Sequence, residues 1–144
     1  MPLLLQHLFA IGGFQGILLF FLLSIGGNNT KANQVLGVWC LFLGFFFLGI
    51  LINVQPELSL FTYLIGWNIF LPASFGALTY LYCRLAITDK GLVRSDIFHL
   101  LPVLLCYALN IDILFASAEA KFAWATGELT LGSNLKLSNW ITYT

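Results

Sequence analysis

The side chains that could carry acid–base, nucleophilic or metal chemistry are few and widely separated in this sequence. Its 144 residues include six acids, six bases, two histidines and three cysteines. Cys40, Cys83 and Cys106 form neither a Cys-x-x-Cys pair nor a metal-ligand spacing. His7 and His99 lie far apart, and the sequence has no nucleophile elbow, phosphate-binding glycine loop or carboxylate pair. We therefore predict that the chain is not an enzyme and uses neither a metal nor another cofactor.

The composition favours a membrane over water as the surroundings of the chain. Hydrophobic residues make up 60% of it and charged residues 8%, whereas an ordinary soluble domain is about 25% charged. The mean hydropathy is +0.93. The apolar runs are long and unbroken rather than alternating, which predicts transmembrane helices rather than a β-barrel.

Four apolar runs are long enough to cross the hydrocarbon core, which takes about 20 helical residues. A polar tail without a full span follows the last of them. The sequence thus predicts an all-α fold with two parts: a bundle of four transmembrane helices over residues 1–115 and an extracytoplasmic segment over residues 116–144. The predicted spans cover residues 3–25, 34–54, 58–83 and 97–115.

Basic residues beside the spans predict the topology. Lys31 lies between the first and second spans, and Arg84, Lys90 and Arg94 lie around the connector between the third and fourth. The N-terminus and the connector between the second and third spans have no Lys or Arg. By the positive-inside rule, the two charged connectors are cytoplasmic and the N-terminus is outside. We predict that these charges hold the topology and bind no ligand.

Polar residues inside predicted spans are functional candidates, because they are costly in lipid. Gln15, Asn53, Asn68, His99 and Asp112 are of this kind. Asn68 lies deepest and is expected to face either a ligand cavity or another helix through a hydrogen bond. Asp112 lies near the outer end of its run, where it meets water. Asn68 and Asp112 are therefore candidates for contact with a ligand or partner.

Small residues in the first two runs predict close helix packing. Gly12 and Gly16 form a G-x-x-x-G pattern, and Gly37 and Gly44 share one face of the second helix. Small residues let helix backbones approach closely in lipid. Packing inside the bundle is favoured here over a dimer interface.

The tail carries a helical pattern of apolar residues, which predicts a short interfacial helix that lies outside, either flat on the membrane or folded over the outer mouth of the bundle. Phe122 and Trp124 are its candidates for contact with a ligand or partner. Residues 128–137 alternate around Gly-Ser-Asn and also fit a small hairpin. Ser138 fits the N-cap of a fifth helix. The residues of the helical pattern are Phe115, Ala118, Phe122, Ala125 and Leu129.

Two stretches, "NTKANQVLGVWCLFLGFFFLG" and "LPASFGALTYLYCRLAITDKGLVRSDIFHLLPVLLCYAL", carry a family resemblance. Over about residues 3–115 the chain resembles the membrane half of AraC-type bacterial transcription regulators. The resemblance implies a bacterial inner-membrane protein with an outside N-terminus, about seven spans and a cytoplasmic helix-turn-helix domain. The "D…HLLP" part of the pattern comprises Asp96, His99, Leu100, Leu101 and Pro102.

The resemblance implies the sensory membrane domain of a one-component regulator. The sequence ends at Thr144, before the DNA-binding part, so we expect this chain to bind no nucleic acid and to contact lipid and other membrane helices. The alternative is a small accessory subunit packed against a larger membrane complex. Part of a transporter or channel is less favoured, because such sites use broken helices or mid-membrane charges, and only Asn68 and Pro72 approach that pattern.

Overall fold

The computed structural model describes residues 3–25, 30–54, 59–88 and 91–128. Within these ranges the chain is all-α, as predicted. Its six α-helices there are α1 (Leu3–Ile25), α2 (Lys31–Val54), α3 (Phe75–Ile87), α4 (Leu101–Leu109), α5 (Ile111–Phe115) and α6 (Ala118–Ala125). Short 3-10 helices cover Ser59–Leu64, Leu71–Ser74 and Arg94–Leu100. The predicted hairpin and fifth helix lie almost wholly in residues 129–144, outside the described residues.

Two described helices, α1 and α2, are long and apolar enough to cross a membrane. Their most apolar windows have mean hydropathies of 2.2 and 2.7. Only 11% and 22% of those windows are buried inside the protein. The core helix of a soluble protein would be mostly buried, so α1 and α2 do not fit that class of helix.

Helix α1 packs along α2 through glycine. A Cβ atom on Gly16 would lie 2.5 Å from the Cys40 carbonyl oxygen and 2.7 Å from Gly44 Cα. A Cβ atom on Gly13 would lie 2.5 Å from Leu48 Cγ. The two backbones therefore touch where only glycine fits. This confirms the prediction that Gly16 and Gly44 serve packing inside the chain.

The prediction of four spanning helices is wrong, because residues 58–83 and 97–115 are interrupted. In the first of these runs Gly66 has a φ of +86°, and Pro72 lies in the first turn of the 3-10 helix before α3. In the second, Asn110 has φ −125° and ψ 40° and separates α4 from α5. A left-handed glycine or a proline changes the local backbone hydrogen bonding. A single glycine or proline hardly lowers the mean hydropathy of a long apolar run. Hydropathy alone therefore does not show that the helix is interrupted there.

The interrupted run after α2 still packs along that helix. In the first part of α2, Val35 lies in one apolar cluster with Leu78 and Leu81 of α3. Near the end of α2, Asn53 donates a hydrogen bond to Asn68 in the turn before α3. This run is therefore antiparallel to α2, with its helical part beside the start of α2 and its irregular part beside the end.

The start of α2 and the described residues that follow α3 lie together at one end of the fold. Thr30 and Lys31, at the start of α2, line a cavity of about 390 Å³ with Thr88 and Gly91. The common cytoplasmic side of the two connectors stays a prediction. Asn68 lies beside the other end of α2.

An ion pair ties the end of α3 to the 3-10 helix before α4. Both terminal nitrogens of Arg84 donate to Asp96, each at 2.6 Å. Asp96 is buried and also accepts a hydrogen bond of 2.8 Å from the Val93 N–H. The hydrogen bonds from Arg84, and then that from Val93, lower the pKa of Asp96 despite its burial. The charged turn thus has a packing role inside the chain.

We expect this tie to weaken in acid. Because the folded-state pKa of Asp96 is lowered, its contribution is fully present above the ordinary aspartate pKa of about 3.9. The contribution is lost as the pH falls through the lowered pKa. The protection factor of the Val93 amide against hydrogen exchange should therefore fall in that window. In Asp96→Asn, protection of the Val93 amide should be lower and should not change over this pH window. If the variant keeps the pH profile of the unsubstituted chain, Asp96 is not the group that titrates.

Candidate functional site

A half-open apolar cavity of about 540 Å³ lies between the second half of α2, the turn before α3, and helices α4 and α5. Among the described residues that line it, only three carry polar side-chain atoms: Asn68, Tyr107 and Trp67. The volume is within the usual range for small-molecule sites, and a few polar groups in an apolar wall are typical of them. The apolar wall includes Phe45, Leu48, Ile52, Leu64, Leu71 and Leu114.

Asn68 is the buried polar group of this cavity, with 5% of its surface exposed. Its Nδ2 donates to the Phe46 carbonyl oxygen at 3.3 Å, and its Oδ1 accepts from Asn53 Nδ2 at 3.1 Å. An amide side chain offers two N–H donors and two acceptor lone pairs. One donor and one lone pair of Asn68 are therefore not used by the described residues.

Gly49 makes the room that Asn68 occupies. A Cβ atom on Gly49 would lie 2.3 Å from Asn68 Cγ and 2.4 Å from Asn68 Cβ. Only a residue without a side chain lets the amide lie against α2 at this point. The next polar residue along α2, Asn53, keeps a buried Oδ1 without a hydrogen-bond partner. Two amides thus meet at one place, and each has unused hydrogen-bonding capacity.

Tyr107 closes the cavity from α4. Its hydroxyl donates to the Trp67 carbonyl oxygen at 2.5 Å. Its ring packs edge-on against Phe70, with centroids 5.3 Å apart and planes at 87°. These two contacts hold α4 against the turn that carries Asn68.

Helix α6 docks next to this turn. Trp124 lies 3.4 Å from the Cβ position of Gly66, and Ile113 of α5 lies 2.5 Å from it. Lys121 is almost fully buried, at 1% exposure. Its Nζ donates to the carbonyl oxygens of Tyr63, at 2.6 Å, and Leu114, at 3.1 Å. Burial lowers the pKa of this lysine.

The structure separates the four candidates for ligand or partner contact. Asn68 lines the cavity, and Trp124 packs against the turn two residues before it. Asp112 and Phe122 are exposed and do not line the cavity. On α6 the face that packs inward carries Lys121 and Trp124, which leaves Phe122 outside.

Sequence reasoning missed Gly49, Tyr107 and Lys121. The signal for Gly49 was that it is the third glycine of α2, after Gly37 and Gly44. Repeated glycines in one helix indicate further sites of close contact with neighbouring segments. The sequence contains no comparable signal for Lys121, because a lysine between alanine and phenylalanine is typical of a solvated face.

No group of three His, Cys, Asp or Glu side chains in the described part of the chain could hold a metal ion. Comparisons with protein-family models, with curated proteins and with solved structures found no match. Function is therefore inferred from the cavity and its side chains.

Proposed function

We propose that this chain is the membrane-embedded sensory domain of a one-component transcription regulator. Its input would be a small, largely apolar molecule with one hydrogen-bonding group. The observation that carries the proposal is the cavity of about 540 Å³ with the partly used amide of Asn68 in its wall. The apolar wall would supply affinity, and the amide would select molecules that can form a hydrogen bond.

The proposed location is a bacterial inner membrane with the N-terminus outside. The length and exposure of α1 and α2 support insertion. The shared position of Lys31 and the end of α3 supports one cytoplasmic end. The cavity then lies toward the outer end of α2, opposite the charged connectors. A ligand from outside would reach it, and its effect would travel along α3 to the cytoplasmic end.

The accessory-subunit alternative is favoured by one observation, the exposed apolar face of α1. The breaks at Gly66 and Asn110 also fit part of a transporter, because transport sites use discontinuous helices. Neither alternative requires that ligand binding in the cavity alter the charged end of the fold. That requirement distinguishes the sensor from both.

The binding test uses 1-naphthol and naphthalene as probes, with the full chain in lipid nanodiscs. We expect 1-naphthol to bind about two- to twelvefold more tightly than naphthalene, because its hydroxyl adds one hydrogen bond at Asn68. Leu64→Trp should fill the cavity and weaken both probes. The matched control is Leu105→Trp, because both leucines are 46% exposed and Leu105 does not line the cavity. Equal binding by the two variants would mean partition into lipid and would refute the site.

The signalling test uses the same samples. Saturating 1-naphthol should change hydrogen exchange in the 3-10 helix Arg94–Leu100 of the unsubstituted chain and of Leu105→Trp. Leu64→Trp should show no change. Binding without any effect on that helix would leave a binding site but exclude the sensory role.

A further inference from the structure

Gln15 is an exposed amide halfway along an otherwise apolar helix face. It makes no hydrogen bond to the described residues. At 1.5 Å per residue it lies about 18 Å from Leu3 and about 15 Å from Ile25, the two ends of α1. Both distances are far beyond the reach of a glutamine side chain. In a membrane, this amide therefore faces hydrocarbon unless a part of the protein beyond the described residues or a second protein covers it.

The surroundings of Gln15 form a shallow apolar groove of about 800 Å³ on the side of α1 turned away from the glycine contact with α2. Ile11 and Leu18, one helical turn before and after Gln15, are 62% and 57% exposed. Leu22, one turn further, is 62% exposed. Gln15 thus lies toward one side of an unpartnered face, and the main neighbour of α1 among the described elements, α2, lies elsewhere.

We infer that a second copy of this chain covers this face and that the two Gln15 amides hydrogen-bond to each other. All copies insert with the same orientation, so a two-fold axis along the membrane normal brings equal depths together. Gln15 then meets its own counterpart. An amide has both a donor and an acceptor, so two glutamines can exchange two hydrogen bonds. Polar side chains of this kind hold transmembrane helices together.

This inference requires the membrane insertion proposed above but not the sensory role. A second copy of the chain brings the Gln15 amide to the same depth without any further polar group. A different membrane protein would have to bring its own polar group to the same depth. The test below separates the two occupants, because it contains only this chain and lipid.

The test measures energy transfer between copies of the full chain labelled at the N-terminal amine with donor or acceptor dye, in phosphatidylcholine vesicles at increasing dilution in lipid. We expect transfer above the random level for the unsubstituted chain. Gln15→Leu should raise the dissociation constant about three- to thirtyfold, the range typical of interhelical hydrogen bonds in membranes. Gln15→Asn, which keeps an amide, should stay closer to the unsubstituted value.

The control is Gln6→Leu, which removes an amide near the end of the same helix and should leave the dissociation constant unchanged. Circular dichroism should show the same helix content in all variants. Random-level transfer for the unsubstituted chain would overturn the inference, and so would equal association by Gln15→Leu. Naphthol binding in the same vesicles reports the cavity separately, so an unsubstituted chain that binds naphthol but does not dimerise would refute only this inference.

Discussion

Gly16→Leu is expected to separate α1 from α2 and to lower the stability of the chain. The added side chain would meet the Cys40 carbonyl oxygen and Gly44 Cα, which belong to the backbone and cannot rotate away. Overpacking of this kind typically costs about 1–3 kcal/mol, and rigid neighbours place it at the upper end. Unfolding by sodium dodecyl sulfate in mixed micelles, followed by circular dichroism, measures the change.

The matched control for Gly16→Leu is Gly76→Leu in α3. No atom lies within 4 Å of a Cβ atom built on Gly76. Leucine also has a better helix propensity than glycine, by up to about 1 kcal/mol. Gly76→Leu should therefore be neutral or stabilising. If both variants unfold at the same detergent fraction, the close contact between α1 and α2 is wrong.

Lys121→Met is expected to release α6 from the rest of the chain. The substitution keeps an unbranched apolar side chain of similar length but leaves the Tyr63 and Leu114 carbonyl oxygens without their donor. A fully buried group left unpaired costs about 1–3 kcal/mol, and these two bonds are partly buried. Amides of α6 should therefore exchange at least tenfold faster. Lys31→Met, which removes a lysine with an exposed hydrogen bond to Gln34, should leave their exchange unchanged.

The docking of α6 should also strengthen as the pH rises, as the Arg84–Asp96 tie does, but in a window that extends up to the ordinary lysine pKa of about 10.4. Burial lowers the pKa of Lys121 in the folded chain, so the undocked state binds more protons between that value and about 10.4. Stability rises with pH wherever the undocked state binds more protons. Protection of the α6 amides, corrected for intrinsic exchange, should increase as the pH rises through this window. The increase should be absent in Lys121→Met, and a decrease in the unsubstituted chain would contradict the buried position.

The sequence predicted the helical class, the apolar character and the first two helices well. Residues 3–25 coincide with α1, and the predicted second span, residues 34–54, begins three residues after α2 does. Long hydrophobic runs determine these helices locally, because every backbone hydrogen bond is satisfied within the helix itself. The packing role of Gly16 was also predictable, since small residues at helical spacing indicate close contact.

The breaks in the later runs, the cavity and the position of Lys121 were decided only by the tertiary structure. Gly66 adopts a positive φ beside Ile113 and Trp124, and these residues come from parts of the chain about 50 positions away. Asn68 was a candidate from depth alone, but its pairing with Asn53 depends on the room left by Gly49. Composition and hydropathy are sums over neighbours in sequence. Contacts between distant segments decide which polar atoms are buried, and those sums contain no information about such contacts.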